Sequence, residues 1–429
     1  IRAPWDGGVM WEKTAEGQPW LATAVQGEGC DLFWPCIDQP FGEPNETELY
    51  ITVPKPLVAA TNGVLINTHD EGDNRTYHWQ TKSVHNTYGI ALNIAPYKQM
   101  TTQFTSIYGN TYPLTYYYLP EKEDKAKALF DELPEMITFF ERMIGPYPFA
   151  DEKVGIVQTP HLGMEHQTIN AYGNQYRKDD GGYDWLMQHE FAHEWFGNQL
   201  TNDNWDHMWL HEGFGTYMQP LYAQYLHGNE AYFVKLNAQR KGLANAHPIV
   251  SNTLMSEEDV YEKGPAGDIY AKGAWVMHTL RGVMGDDAFF RSVTELVYGR
   301  TDPKPGNFKP IFANTQDFID IVNKHSESNL DWFFDVYLFN AALPELTMTR
   351  HKDSVTFAWK TDNNLPFPMP LEVSINGKIT ELDMQTAFSL PVSQFDTVIA
   401  DPNSKVLRYE QRYEDYKAWI KENSNTKKK

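Results

Sequence analysis

Cysteine is nearly missing from this sequence: 429 residues carry two, Cys30 and Cys36, in the stretch GCDLFWPCID. Two thiols build neither a disulfide framework nor a four-cysteine zinc ribbon, and the reading prefers buried free thiols to a bond between them. Cysteine usage alone leaves the compartment open. No apolar run reaches the roughly 18–20 residues that a membrane-crossing helix needs. Positive charge is also scarce: 36 Lys and Arg against 57 Asp and Glu leave a net charge of −21. That balance disfavours nucleic acid and anionic membrane surfaces as partners. The C-terminal KKK is too short to change this and reads as a solvated tail. Internal repeats and low-complexity linkers are absent, which excludes solenoids and loosely tethered modules. An initiator Met and a signal peptide are missing too, since the chain opens at Ile1 within a β-rich texture. The expectation is a trimmed or processed start, with a secreted or periplasmic protein favoured over a cytoplasmic one.

Aromatic residues, by contrast, are abundant, with 13 Trp, 24 Tyr and 23 Phe. With 41% hydrophobic and 22% charged residues, the chain can bury a substantial core. Its length predicts two or three domains. Residues 1–118 alternate as strands broken by turns, in ELYITVP, RTYHWQTK, YGIALNIAPY and YPLTYYYLP. The texture changes at Pro120, where EKEDKAKALFDELPEMITFFERMIG takes helical spacing with an acidic start and Gly-Pro past its end. Helical patterns dominate to about residue 342, interrupted by the strand-like KVGIVQTP. Alternation returns in ELTMTRHKDSVTFAWKT and LEVSINGKITELDM, and the tail around YEDYKAWIKENSN reads as a closing helix. The predicted fold is multidomain α+β. It has a partial N-terminal antiparallel β domain over 1–118, a mostly α catalytic domain over 119–342, and a small β-sandwich with a tail over 343–429.

The densest chemical signal lies in WLMQHEFAHEWFGNQLTNDNWDHMWLHEGFG. His189 and His193 stand four apart in a helical pattern, so both imidazoles leave one face of the helix. That geometry suits two ligands of one Zn²⁺. Glu190, beside the first ligand, stands where a general base for a hydrolytic water belongs. Glu212 follows His193 by nineteen residues on a second helical pattern and supplies a third ligand. Two imidazoles and one carboxylate make an open catalytic zinc site rather than a closed structural one. The plain alternative is two packed histidines around a solvated glutamate; the placement of Glu212 argues against it. Asn198 and Asp206 are candidates for orienting the ligands. His161, His166, His207 and His211 read as packing residues or as supports behind the ligands, rather than as extra ligands.

The run His189-Glu190-x-x-His193, eighteen residues and Glu212 resembles the gluzincin aminopeptidases that include membrane alanyl aminopeptidase and leukotriene hydrolase. HEWFGNQLT and WDHMWLHEGF are similar to the extended signature of that family. VQGEGCDLFWPCIDQP is similar to its N-terminal Pro-Cys-x-Asp-x-Pro segment, and YAKGA to its catalytic tyrosine motif. GMEH stands where the family has Gly-x-Met-Glu-Asn. The resemblance implies a thermolysin-like catalytic domain, one zinc ion per chain, and peptide substrates with a free N-terminus. It implies that Glu165, helped by Gln26, holds the α-amine, with Gly163 and Met164 lining the substrate strand, although Met164 on its own reads as a packing residue. His166 departs from the family's Asn, and the family's C-terminal helical domain is absent from this sequence.

Two tyrosines compete for the role of oxyanion donor, Tyr261 in YEKG and Tyr270 in YAKG. Pro265 between two glycines predicts that Tyr261 sits on a loop. Trp275, Val276, Thr279, Leu280 and Val283 recur at helical spacing after Tyr270, which predicts that Tyr270 opens a packed helix and carries the role. The expected activity is removal of N-terminal residues from peptides. Endopeptidase or epoxide hydrolysis on the same metal, and a non-catalytic zinc-bearing binding protein, are the rival readings.

Overall fold

The computed structural model of the protein describes residues 8–27, 29–37, 42–306 and 308–426. Ile1, Asp38 and Pro40 of the PCIDQP segment, and the C-terminal KKK lie outside the described residues. The N-terminal alternation becomes strands β1 (Gly8–Lys13), β2 (Pro19–Ala24), β3 (Thr47–Pro54), β4 (Val58–Ala60), β5 (Val64–Glu71), β6 (Asn74–Thr81) and β7 (Asn93–Ala95). They form two antiparallel sheets, in orders β1-β2-β7-β4 and β3-β6-β5. Tyr77, Trp79, Ala59 and Ala95 from both sheets share one core with Tyr117 and Val157. Two more strands, β8 (Lys98–Thr105) and β9 (Thr111–Tyr118), make a hairpin. The chain then runs through α1 (Glu123–Phe130) and α2 (Leu133–Met143) into β10 (Val154–Gln158), β11 (Gly163–Met164) and β12 (Asn170–Tyr172). β9 and β10 pair in parallel, as a helical crossover requires. The resulting sheet has the order β11-β12-β10-β9-β8, which leaves the two-residue β11 as an edge.

Against this sheet packs a helical body: α3 (Trp185–Ala192), α4 (Trp209–His227), α5 (Asn229–Arg240), α6 (Glu257–Tyr261), α7 (Asp268–Met284), α8 (Asp286–Tyr298), α9 (Thr315–His325) and α10 (Asp331–Tyr337). Short strands β13 (Leu200–Asn202) and β14 (Ile311–Ala313) pair in parallel beside it. The C-terminal alternation gives β15 (Glu345–Arg350), β16 (Ser354–Lys360), β17 (Leu371–Ile375), β18 (Lys378–Leu382), β19 (Phe388–Pro391) and β20 (Val398–Ala400). These form two three-stranded sheets, β15-β16-β19 and β18-β17-β20, around Val355, Phe357, Leu371 and Val373. The tail closes with the expected helix, α11 (Gln411–Thr426). Among the described residues no helix is long and apolar enough to cross a membrane.

One expectation is corrected. Cys30 is buried, but it is bonded to Cys36 rather than free. A short helical turn over Cys30–Leu32 folds the segment back on itself and brings the two Cα atoms to 6.1 Å, within bridging reach.

The aromatic surplus is spent on the helix that carries the two histidines. Phe191 and Trp195 are four apart, like His189 and His193, but on the opposite face. Trp195 stacks on Phe140 with ring centroids 4.9 Å apart, and Tyr147 lies within 6 Å of both Phe191 and Trp195. At its N-terminus, Asp184 accepts from the backbone N–H groups of Leu186 and Met187, satisfying donors that the first helical turn leaves open. α4 and α7 approach at two glycines. A Cβ on Gly273 would lie 2.8 Å from the Gly213 Cα, and one on Gly213 would lie 3.0 Å from the Ile269 carbonyl oxygen. Only glycine permits that approach, and it sets α7 against the start of α4. Gly273→Ala is therefore expected to lower stability by about 1–3 kcal/mol, as overpacking against backbone does. Denaturant unfolding measures this, and an unchanged midpoint would refute the close-contact account.

Candidate active site

His189 and His193 leave one face of α3 and its C-terminal cap, and Glu212 meets them from the first turn of α4. The two imidazole Nε2 atoms lie 3.3 Å apart. Glu212 Oε2 lies 3.4 Å from His189 Nε2 and 3.5 Å from His193 Nε2. Zinc binds such atoms at about 2.0–2.1 Å, so a tetrahedral site has edges of about 3.3–3.4 Å. The triangle therefore has the edge length of one face of a tetrahedral zinc site. Tautomer and environment agree. His193 Nδ1–H donates to the Phe196 carbonyl at 2.7 Å, which leaves its Nε2 lone pair for a ligand bond. Glu212 Oε2 is buried and has no hydrogen-bond donor. Burial pushes the Glu212 carboxyl up, but the two imidazoles outweigh it and hold it well below the usual carboxylate range. Burial would lower His193, yet Glu212 outweighs that and raises it to about 10. Without a metal, a proton on His193 thus balances Glu212, and a metal cation at the two Nε2 atoms would take that proton's place. Gly215 makes room for the His193 ring, since a Cβ there would lie 3.2 Å from His193 Cε1, while His189 Cε1 would sit at ordinary contact, 3.5 Å.

Glu190 is 7% exposed and rests against the β11 edge, where a Cβ on Gly163 would lie 2.3 Å from its Oε1. Gly163 is thus needed to let the carboxyl reach the cleft. Burial, reinforced by Glu165, pushes the Glu190 carboxyl well above its ordinary value. Glu165 follows β11 and is 4% exposed. Its Oε1 accepts from Gln26 Nε2 at 2.7 Å and from the Tyr88 hydroxyl at 2.8 Å. Its carbonyl accepts from Asn198 Nδ2 at 2.9 Å. Asn198 itself follows His193 and also reaches Glu194, whose carboxylate holds the Thr168 N–H and Asn170 Nδ2. The end of α3 is thereby tied to the edge of the sheet. Asp206 instead accepts from Ser251 and Asn252 and anchors a loop rather than a ligand. Met164 pairs with Ala171 and is half-buried on β11.

Both tyrosines reach the site. Tyr270 lies in the first turn of α7, with its ring centroid 6.3 Å from that of His189. Burial and then Glu212 push its phenol well above the ordinary range, so it stays a donor. Tyr261 is not on a loop: it ends α6, and its hydroxyl lies 3.2 Å from the Tyr270 hydroxyl. A capping box between Ser256 and Asp259 starts that helix, a signal present in the sequence as Ser-x-x-Asp. Pro265 lies beyond the helix end and is compatible with it. Tyr88 was missed, since nothing local in NTYGIALN marks it. His166 is fully buried with both ring nitrogens lacking partners, and burial lowers it to about 3.

Residues 130–337 match the family described as Peptidase family M1 domain. The chain is 25% identical over 303 residues to endoplasmic reticulum aminopeptidase 1 of Mus musculus, covering 66% of this chain and 32% of that protein. It is 22% identical over 403 residues to probable aminopeptidase 1 of Sulfurisphaera tokodaii, covering 88% of this chain and 48% of that one. The chain thus spans between a third and a half of these relatives. Its fold is similar to a mutant M1 zinc metallopeptidase of Deinococcus radiodurans bound to a Tyr-Ser-Ala substrate. That likeness has a TM-score of 0.63 at 22% identity over 79% of this chain and 72% of that one. Legionella pneumophila aminopeptidase A, in complex with aspartic acid, aligns with a TM-score of 0.74 at 16% identity over 95% of this chain and 49% of that one.

The triangle predicts one zinc ion per chain. Elemental analysis after dialysis should find a single Zn²⁺ in the wild type and almost none in Glu212→Gln or His193→Ala. Retention of stoichiometric zinc by both variants would remove the assignment.

Proposed function

Because the chain belongs to the M1 peptidase family, we propose that it is a zinc-dependent aminopeptidase releasing N-terminal residues from peptides. The three pieces 1–118, 119–342 and 343–429 are its proposed domains. One observation carries the reading: a buried carboxylate, Glu165, is held by Gln26 and Tyr88 at the end of the edge strand that runs past Glu190. No hydrogen bond from the described residues reaches Glu165 Oε2, which suits it to a free α-ammonium. A peptide that continued past this point, or carried an acetyl cap, would leave that carboxylate buried without a cation. This favours exopeptidase over endopeptidase action.

His189, His193 and Glu212 would hold a zinc ion, which would supply Lewis acidity at the scissile carbonyl and a lowered pKa for water. Glu165 pairs with the α-ammonium and fixes the register of the substrate. The outer edge of β11 offers main-chain groups to an extended peptide, the usual way in which an open sheet edge adds a strand. Glu190, whose carboxyl favours holding a proton, takes one from the attacking water and delivers it to the leaving amine. Tyr270 donates its phenolic proton as a hydrogen bond to the developing oxyanion, and Tyr261 holds that phenol in place. The Cys30–Cys36 bond supports an oxidising compartment, secreted or periplasmic.

Aminoacyl chromogenic substrates, free and N-acetylated, test the reading. The wild type should cleave the free series alone. Glu190→Gln should keep zinc and lose nearly all turnover; near wild-type rates would refute its role. Glu165→Ala should raise KM for free substrates and shrink their advantage over acetylated ones, whereas an unchanged ratio would make Glu165 structural. Tyr270→Phe should cut kcat by about 10²–10³ with zinc retained. Tyr261→Phe should cost less, and the reverse order would exchange their roles.

A further inference from the structure

We propose that the Cys30–Cys36 bridge is a positioning device for the substrate amine, so that affinity for a free N-terminus depends on the redox state of this cysteine pair. The inference rests on the aminopeptidase reading above. Glu165 Oε1 accepts two hydrogen bonds, from Gln26 and from Tyr88, and both donors lie outside helices and strands. The bridged segment ties the two donors together. At its start the Gly29 N–H donates to the Val25 carbonyl at 3.2 Å, one residue before Gln26. At its end the Ile37 carbonyl accepts from the Thr87 hydroxyl at 3.0 Å, one residue before Tyr88. Cys30 and Cys36 close the span between those two ties.

Among the described residues between β2 and β3, the one regular element is the turn Cys30–Leu32. Cross-linking such a stretch removes the conformations in which its ends separate. Cys30 is fully buried and anchors the bridge. Cys36 is half-buried and lines a cavity of about 480 Å³ with Trp34, Pro35, Ile37 and Thr87. A small reductant therefore reaches Cys36 Sγ first. A phosphine attacks that sulfur, the S–S bond breaks, and Cys30 leaves as a thiolate that takes a proton from water. The hydroxide then attacks phosphorus and releases Cys36 as a thiol with the phosphine oxide, two electrons having passed from phosphorus to the sulfur pair. Opening the bridge frees the Ile37 end from the Gln26 end. Tyr88 keeps a second support, because Asn86 in the same turn donates to Asn198 Oδ1 at 3.3 Å. The donors to Glu165 are thus loosened while the triangle of His189, His193 and Glu212, held by α3 and α4, stays in place.

Kinetics on leucine p-nitroanilide, before and after tris(2-carboxyethyl)phosphine, read the effect, with two alkylated thiols confirming the opened bridge and zinc measured in both states. Reduction should raise KM about five- to tenfold, with kcat within about twofold and zinc content unchanged. Reoxidation should restore KM. Cys36→Ser opens the bridge without a reductant and should show the same raised KM. Thr87→Val cuts the tie to Ile37 and should raise KM in the oxidised protein, with reduction then adding little because both changes break one linkage. An unchanged KM in either opened form, or a loss confined to kcat or zinc, would overturn the proposal and leave the bridge a stability element. Calorimetric binding of leucinamide to the oxidised and reduced protein reads the amine site without turnover. Weaker binding on reduction by a protein that cleaves no anilide would refute the aminopeptidase reading and uphold the role of the bridge. Equal binding in the two states would overturn that role whatever the turnover.

Discussion

Three lone-pair atoms held 3.3–3.5 Å apart in a buried place are an electrostatic demand for a cation, and the surrounding structure exists to keep them there. The candidate ligands are held by the structure around them. Phe191 and Trp195 lock one face of α3 into an aromatic core so that the opposite face cannot rotate. The Phe196 carbonyl fixes the His193 tautomer. Gly215 lets α4 lie close against the His193 ring. Removing a brace therefore acts on the metal without touching a ligand, which is how surrounding groups tune metal sites generally.

The same constraint links distant parts of the chain. Gln26 and Tyr88 come from the N-terminal strands and their loops, Glu165 from the sheet edge, and Tyr270 from α7. They converge because β11 lies against Glu190 at Gly163, and because α7 meets α4 at Gly213 and Gly273. Two glycine contacts thus set the positions of the β11 edge and the Tyr270 phenol relative to the His189–His193–Glu212 triangle. In this site the glycines make room for packed side chains and helices rather than for turns.

Much of this was legible from sequence because it is local. A four-residue histidine spacing survives as one helix face, and the residues after Tyr270 keep helical periodicity, so both were read correctly. The fold class followed from texture, β then α then β. What was not legible depends on contacts between segments far apart in the chain. Tyr88 lies 77 residues from Glu165 and has no local pattern to announce it. The Cys30–Cys36 pairing depends on a turn that brings two Cα atoms together, which a spacing of six does not reveal. Pro265 points to a loop around Tyr261, but the Ser256–Asp259 capping box starts a helix there and the proline merely follows it. The hairpin β8–β9 precedes the change of texture at Pro120, yet it joins the sheet that carries β11. Strand pairing across that point depends on register, which composition does not carry.

X-ray absorption at the zinc edge of the reconstituted protein tests the central claim most directly, because it reads the ligand shell itself. The geometry predicts four-coordinate zinc, with two imidazole nitrogens and oxygen donors at about 2.0–2.1 Å and no sulfur shell. A six-coordinate shell, a sulfur scatterer, or fewer than two imidazoles would contradict it.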